Sequence, residues 1–165
     1  MAVFFNLSAE EEAFLIKTPA IITILIAGAD SDIDKAEIQE AKEIIYRIKE
    51  NASSLSSFYN QVIENFEINL DQFLGTYPTN TRERNQIISE ELKLLNHILP
   101  NLELDTAINF YSDMKQLARH IAEASGGVLG YLSVDKEESK YMNLPMIKNP
   151  EEYWSIKWRK DLLKA

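Results

Sequence analysis

Long helical stripes of apolar residues separated by short polar breaks run through this chain, and no long stretch alternates with period two. Ile38, Ala41, Ile45 and Ile48 recur every three or four positions, with Lys42, Glu43, Arg47 and Lys49 between them. That spacing predicts a one-sided helix from Lys35 to about Asn51. The same period marks a helix through Phe58, Val62, Ile63, Phe66, Leu70, Phe73 and Leu74, closed by Gly75-Thr76-Tyr77-Pro78. Another carries Ile87, Ile88, Leu92, Leu95 and Ile98, begins at Thr79 or Thr81 and stops at Pro100. The next runs from Asp105 through Ile108, Tyr111, Met114, Leu117 and Ile121 to Ser125-Gly126-Gly127. Ser133 caps a short helix reaching about Met142, and Asn149-Pro150 opens a last one, Glu151 to Leu163.

At the start of the chain, Ser8 and Glu11 stand in capping-box spacing and open a helix expected to end near Lys17. Thr18-Pro19 then reads as N-cap and first residue of a second helix, because proline's missing N–H is harmless there. That helix, Pro19 to about Ala29, is apolar on every side and is expected to be fully enclosed. The pattern predicts an all-α fold, a compact bundle of about seven to eight helices. Residues 1–145 form the main helical domain, and 146–165 add a C-terminal helix packed on it. Ile33-Asp34-Lys35-Ala36-Glu37 is echoed by Val134-Asp135-Lys136-Glu137-Glu138, each after a small-residue segment, which suggests two related halves.

The polar break after the most apolar helix has its own chemistry. Asp30, Asp32, Asp34 and Glu37 put four carboxylates within eight residues. Alternate side chains of a bent segment can face one point, and Glu37 lies one helical step beyond Asp34. Oxygen-only ligation suits a hard divalent cation, Ca²⁺, Mg²⁺ or Mn²⁺. The alternative is a helix start whose acids complement the dipole, with Asp34 as N-cap and Glu37 completing a second capping box. The segment is not an EF-hand: counted from Asp30, Lys35 takes the glycine position and Ala41 the bidentate glutamate position.

Charge sharpens this picture. The net charge of −9 is concentrated in Met1 to Gly75, which holds 13 acids against 5 bases. Such a surface repels nucleic acid and attracts cations or basic protein partners. With no cysteine, thiolate chemistry and disulfides are excluded. Neither histidine sits in Glu-x-x-His, since positions 94 and 117 are leucine, so a ferritin-type di-iron site is excluded. His120 and Glu123 form an i,i+3 pair, read as a helix-surface contact. There is no Gly-x-Ser-x-Gly elbow and no phosphate-binding glycine loop, which makes turnover the least supported class. No secretory signal or transmembrane run of ~20 apolar residues is expected, and a cytoplasmic location follows from that expectation. Trp154 and Trp158, among Lys157, Arg159 and Lys160, are expected to lie on the core, with a membrane or partner surface as the alternative.

Several of these elements together resemble the tellurite-resistance TerB-like family. They are Leu7-Ser8-x-Glu-Glu, Thr18-Pro19 opening an apolar helix, Ala27-Gly28-Ala29-Asp30 leading into Ile33-Asp34-x-x-Glu37, and Ala122-x-Ala124-Ser125-Gly126-Gly127 before Ser133-x-x-x-Glu137. The resemblance reaches to about Met142. It implies two related helical halves and divalent-metal ligands at Asp30, Asp34 and Glu37, with Asp135, Glu137 or Glu138 in the second half. It also implies a protein partner at a membrane-associated stress-response complex; self-association into a homo-oligomer is compatible with it. The chain departs from the family in having Ser31 or Asp32 where glycine is usual, and Val128 to Leu132 inserted before Ser133. The leading expectation is therefore a non-enzymatic cation-binding domain. The alternatives are an acidic interaction module without metal and, last, a metal-assisted hydrolase.

Overall fold

The computed structural model describes residues 4, 6–28, 35–52, 55–126 and 140–162, except the side chains of 36, 125, 126 and 157–162. Those residues are predominantly helical, with no strand among them. Six helices of twelve residues or more are present: α1 (Ala9–Ala27), α2 (Lys35–Asn51), α3 (Ser56–Thr76), α4 (Thr81–Leu92), α6 (Leu104–Gly126) and α7 (Pro150–Leu162). Between α4 and α6 lie a single turn, α5 (Leu95–Ile98), and a 3-10 turn, Leu99–Asn101.

The bundle is assembled around α1, which packs chiefly on α3 and α6, with α2 crossing the latter two and α4 closing the remaining side. Burial explains the choice: every residue from Thr18 to Ala27 is buried, so this half of the helix has no solvent face. Ser8 accepts from the Glu11 amide at 3.2 Å while Glu11 accepts from the Ser8 amide at 2.8 Å, the expected capping box. A cluster of rings closes the far side of the core, where Phe58 stands 5.6 Å from Phe4, 5.1 Å from Tyr59 and 5.8 Å from Phe110.

The expected break at Thr18-Pro19 is not there, and α1 runs through both residues. Thr18 is not an N-cap; its hydroxyl donates backward to the Phe14 carbonyl at 2.9 Å. The Thr23 hydroxyl likewise donates to the Pro19 carbonyl at 2.8 Å. An interior proline removes one ladder bond and costs about 3 kcal/mol. Complete burial on both sides of Pro19 outweighs that local cost.

A second difference concerns the single helix expected up to Pro100. The helix begins at Thr81, one of the two expected starts, and Asn80 caps it, accepting from the Glu83 amide at 3.0 Å. The helix then breaks at Lys93-Leu94 before α5. Beyond α6, the Asn96 side chain ties down the approach to α7, donating to the Met146 carbonyl at 2.9 Å and accepting from the Lys148 amide at 2.8 Å. Asn149 then caps α7 with Pro150 at its first position, as expected, accepting from the Glu151 amide at 3.1 Å.

Candidate functional site

Of the residues expected to ligate a cation, only Glu37 belongs to the described part of the structure, where it lies half-buried in the first turn of α2. Asp30, Asp32 and Asp34, and likewise Asp135, Glu137 and Glu138, lie outside the described residues. Among the described residues no three His, Asp or Glu side chains are grouped as a metal site would require.

What is defined is the boundary of the acidic run. At its upstream end α1 finishes at Ala27 without a basic residue in its last turn. The positive charge comes instead from α4, where the buried Arg84 donates through its guanidinium to the Gly28 carbonyl, two residues before Asp30. A cation at a helix C-terminus is favoured by the dipole and by the carbonyls left without intrahelical donors. At the downstream end, Lys35 and Gln39 of α2 face Glu67 and Asp71 of α3 across a groove of about 340 Å³. One turn further along, Lys42 bridges to Glu67 at 2.6 Å. Arg84 escaped the sequence reading, although a local signal exists: Arg84, Ile88 and Leu92 share the buried stripe of α4. An arginine on an apolar stripe points to a buried acceptor elsewhere in the chain.

A second polar region follows the outer face of α6. The Tyr59 hydroxyl donates to Asp113 at 2.7 Å beside a small pocket of about 170 Å³. Burial holds the Asp113 carboxyl above its ordinary pKa, more than the Tyr59 hydrogen bond lowers it. The folded state thus keeps this proton at pH values where the unfolded chain has released it. The stability contributed is full below the unfolded pKa and is lost as pH rises through the folded one. Asp113→Asn, which keeps an acceptor for Tyr59 and has no charge to bury, is expected to melt higher than the parent at pH 7. The two should converge at pH 3, as scanning calorimetry at the two pH values would show.

The same face of α6 continues, one to two turns on, into a wider groove of about 550 Å³ against the start of α7. Lys115, Arg119, His120, Asn149 and Glu151 line it. His120 makes no hydrogen bond to Glu123, so the surface pair expected from their spacing is absent; His120 lines the groove instead.

Helix α7 packs on α6 and on the 3-10 turn, with Pro150 buried and Tyr153 and Trp154 half-buried. The Trp158 side chain lies outside the described residues. No helix among the described residues is long and apolar enough to cross a membrane. No protein family, curated protein or solved structure matches this chain.

Proposed function

We propose that this chain is a non-enzymatic helical domain that binds a divalent cation, Ca²⁺, Mg²⁺ or Mn²⁺, at the acidic run from Asp30 to Glu37, and that it acts in the cytoplasm by association. The observation that carries the reading is the anchoring of both ends of that run. The Gly28 carbonyl is held by Arg84 on one side, and α2 starts at Lys35 on the other. The six residues between these two points include three aspartates, oxygen donors of the kind a hard divalent cation takes. The resemblance of the Ala27 to Glu37 run to TerB-like proteins supports the same reading.

A second reading, an acidic interaction module without metal, is favoured by Arg84 itself. A guanidinium already stands two residues before Asp30, and it offsets part of the charge a cation would neutralise.

Asp34 separates the two. Alanine at this position is expected to cost about 1 kcal/mol in either case, because a helix cap is lost. Asparagine caps nearly as well and offers no carboxylate. With cation at 100 times its Kd the parent should gain about 2.7 kcal/mol, a rise in Tm of roughly 5–10 °C for a domain of this size. Asp34→Asn should show little of that rise. Parent and variant melting alike in EDTA and in millimolar Ca²⁺, Mg²⁺ and Mn²⁺ would leave the interaction module as the reading.

A further inference from the structure

The groove between α6 and the start of α7 brings two cationic side chains to one wall in a chain whose net charge is −9. Lys115 and Arg119 lie one turn apart on α6, and His120 adjoins them. The ion pairs among the described residues use Lys42, Arg47 and Lys93, leaving Lys115 and Arg119 without a carboxylate partner. Lys115 is half-buried with its ammonium 5.4 Å from the centre of the Tyr111 ring, so this charge has a fixed neighbour on an otherwise mobile stem. Across the groove, the segment leading to Asn149 and α7 is tied down by Asn96 through Met146 and Lys148. Of the acids nearby, Glu151 also lines the groove and accepts from the Asn149 side-chain amide at 3.5 Å, and Asp113 accepts from Tyr59 at 2.7 Å in the adjoining pocket. The Tyr111 hydroxyl is held above its ordinary pKa by burial and, after that, by the negative charge of Glu152 on α7.

We propose that this groove binds a phosphate monoester with an apolar or aromatic body, a function distinct from the cation turn and independent of it. A guanidinium and an ammonium one turn apart on a helix match the oxygens of a phosphate, arginine through its paired N–H groups and lysine as a point charge. A volume of about 550 Å³ holds more than a bare phosphate, and Ile108 and Tyr111 in the wall give the rest of the ligand an apolar surface. The wider electrostatics restrict the ligand's size. A long polyanion would run onto the acidic remainder of the protein, whereas a small monoester sees only the groove.

Calorimetric titration of the full chain at low salt with EDTA present tests this, because the chelator prevents a bound cation from recruiting phosphate at the acidic turn. Phenyl phosphate is expected to bind saturably and at least about tenfold tighter than inorganic phosphate, with affinity falling as salt is added. Arg119→Gln, at an exposed position, should fold as the parent does and weaken phenyl phosphate about tenfold or more, the effect of losing a charge-assisted pair. Lys115→Gln should weaken it further in the double variant, while Lys93→Gln should change nothing. Absence of saturation, or equal affinity in the parent and Arg119→Gln, would overturn the proposal. Saturation by a hexaglutamate peptide in place of the ester would overturn it too, in favour of an acidic protein segment.

Discussion

Replacing Phe58 by alanine is expected to cost about 4 kcal/mol and to lower Tm by roughly 10 °C or more. The ring is fully buried and meets Phe4, Tyr59 and Phe110 edge-on or tilted, at centroid separations of 5.1 to 5.8 Å. Truncation removes the burial of a large apolar surface, leaves a cavity that three other rings cannot easily fill, and loses favourable ring–ring geometry. Phe58 also stands in the first turn of α3, a helix whose start has no side-chain cap. Packing therefore does there what capping does at α1. Phe58→Leu should recover more than half of the loss. Chemical denaturation of the three proteins would check this, and a Phe58→Ala loss under about 1 kcal/mol would mean that the ring cluster relaxes far more freely than its burial indicates.

Arg84→Met is expected to cost about 2 kcal/mol, or roughly 5 °C in Tm. Methionine preserves most of the stem volume but leaves the Gly28 carbonyl without its charged donor and the end of α1 without a positive charge. Part of the loss is offset because no guanidinium then has to be desolvated, so the effect should stay below that of Phe58→Ala. Arg84→Lys should be intermediate, since an ammonium keeps the charge without the planar reach. The same variant reports on the acidic run. If Asp30 to Glu37 holds a cation, Arg84→Met should melt lower in EDTA yet gain more than the parent from added Ca²⁺, Mg²⁺ or Mn²⁺, because a competing charge is gone. Thermal melts with and without cation read both effects at once, and an equal cation response in the two proteins would separate Arg84 from the turn.

Much of the fold was legible because much of it is locally encoded. The 3.6-residue stripes of α2, α3 and α6 identify those helices, and Ser8 with Glu11 and Asn149 with Pro150 mark two starts by chemistry that acts over three residues. Thr18-Pro19 misleads for an instructive reason. A cap followed by proline and a buried threonine beside a buried proline have the same local sequence, and the surrounding helices decide between them. The break at Lys93-Leu94 is similar, since Leu92, Leu95 and Leu99 remain buried across it and the apolar rhythm hides the change of direction. At the candidate site, the acidic run is visible from composition alone. Its neighbour Arg84 is not, because the contact spans 56 positions of sequence. The groove on α6 is also hidden, as it requires Asn149 to be brought opposite Arg119.

The enclosure of α1 has a consequence beyond the native state. Ala20 to Ala27 reads Ala-Ile-Ile-Thr-Ile-Leu-Ile-Ala, rich in β-branched residues and free of charge and proline. Such a segment favours cross-β stacking wherever it is exposed, and only its neighbours keep it helical here. Lys17 and Pro19 stand just before it, and Asp30, Asp32 and Asp34 follow just after. In an in-register stack those acids would repeat every roughly 4.7 Å along the fibril, a strong repulsion. The flanking residues thus act as gatekeepers on the unfolded chain, whatever they bind in the folded one. Acidification or millimolar calcium during thermal unfolding should accordingly turn a recoverable loss of structure into visible precipitation.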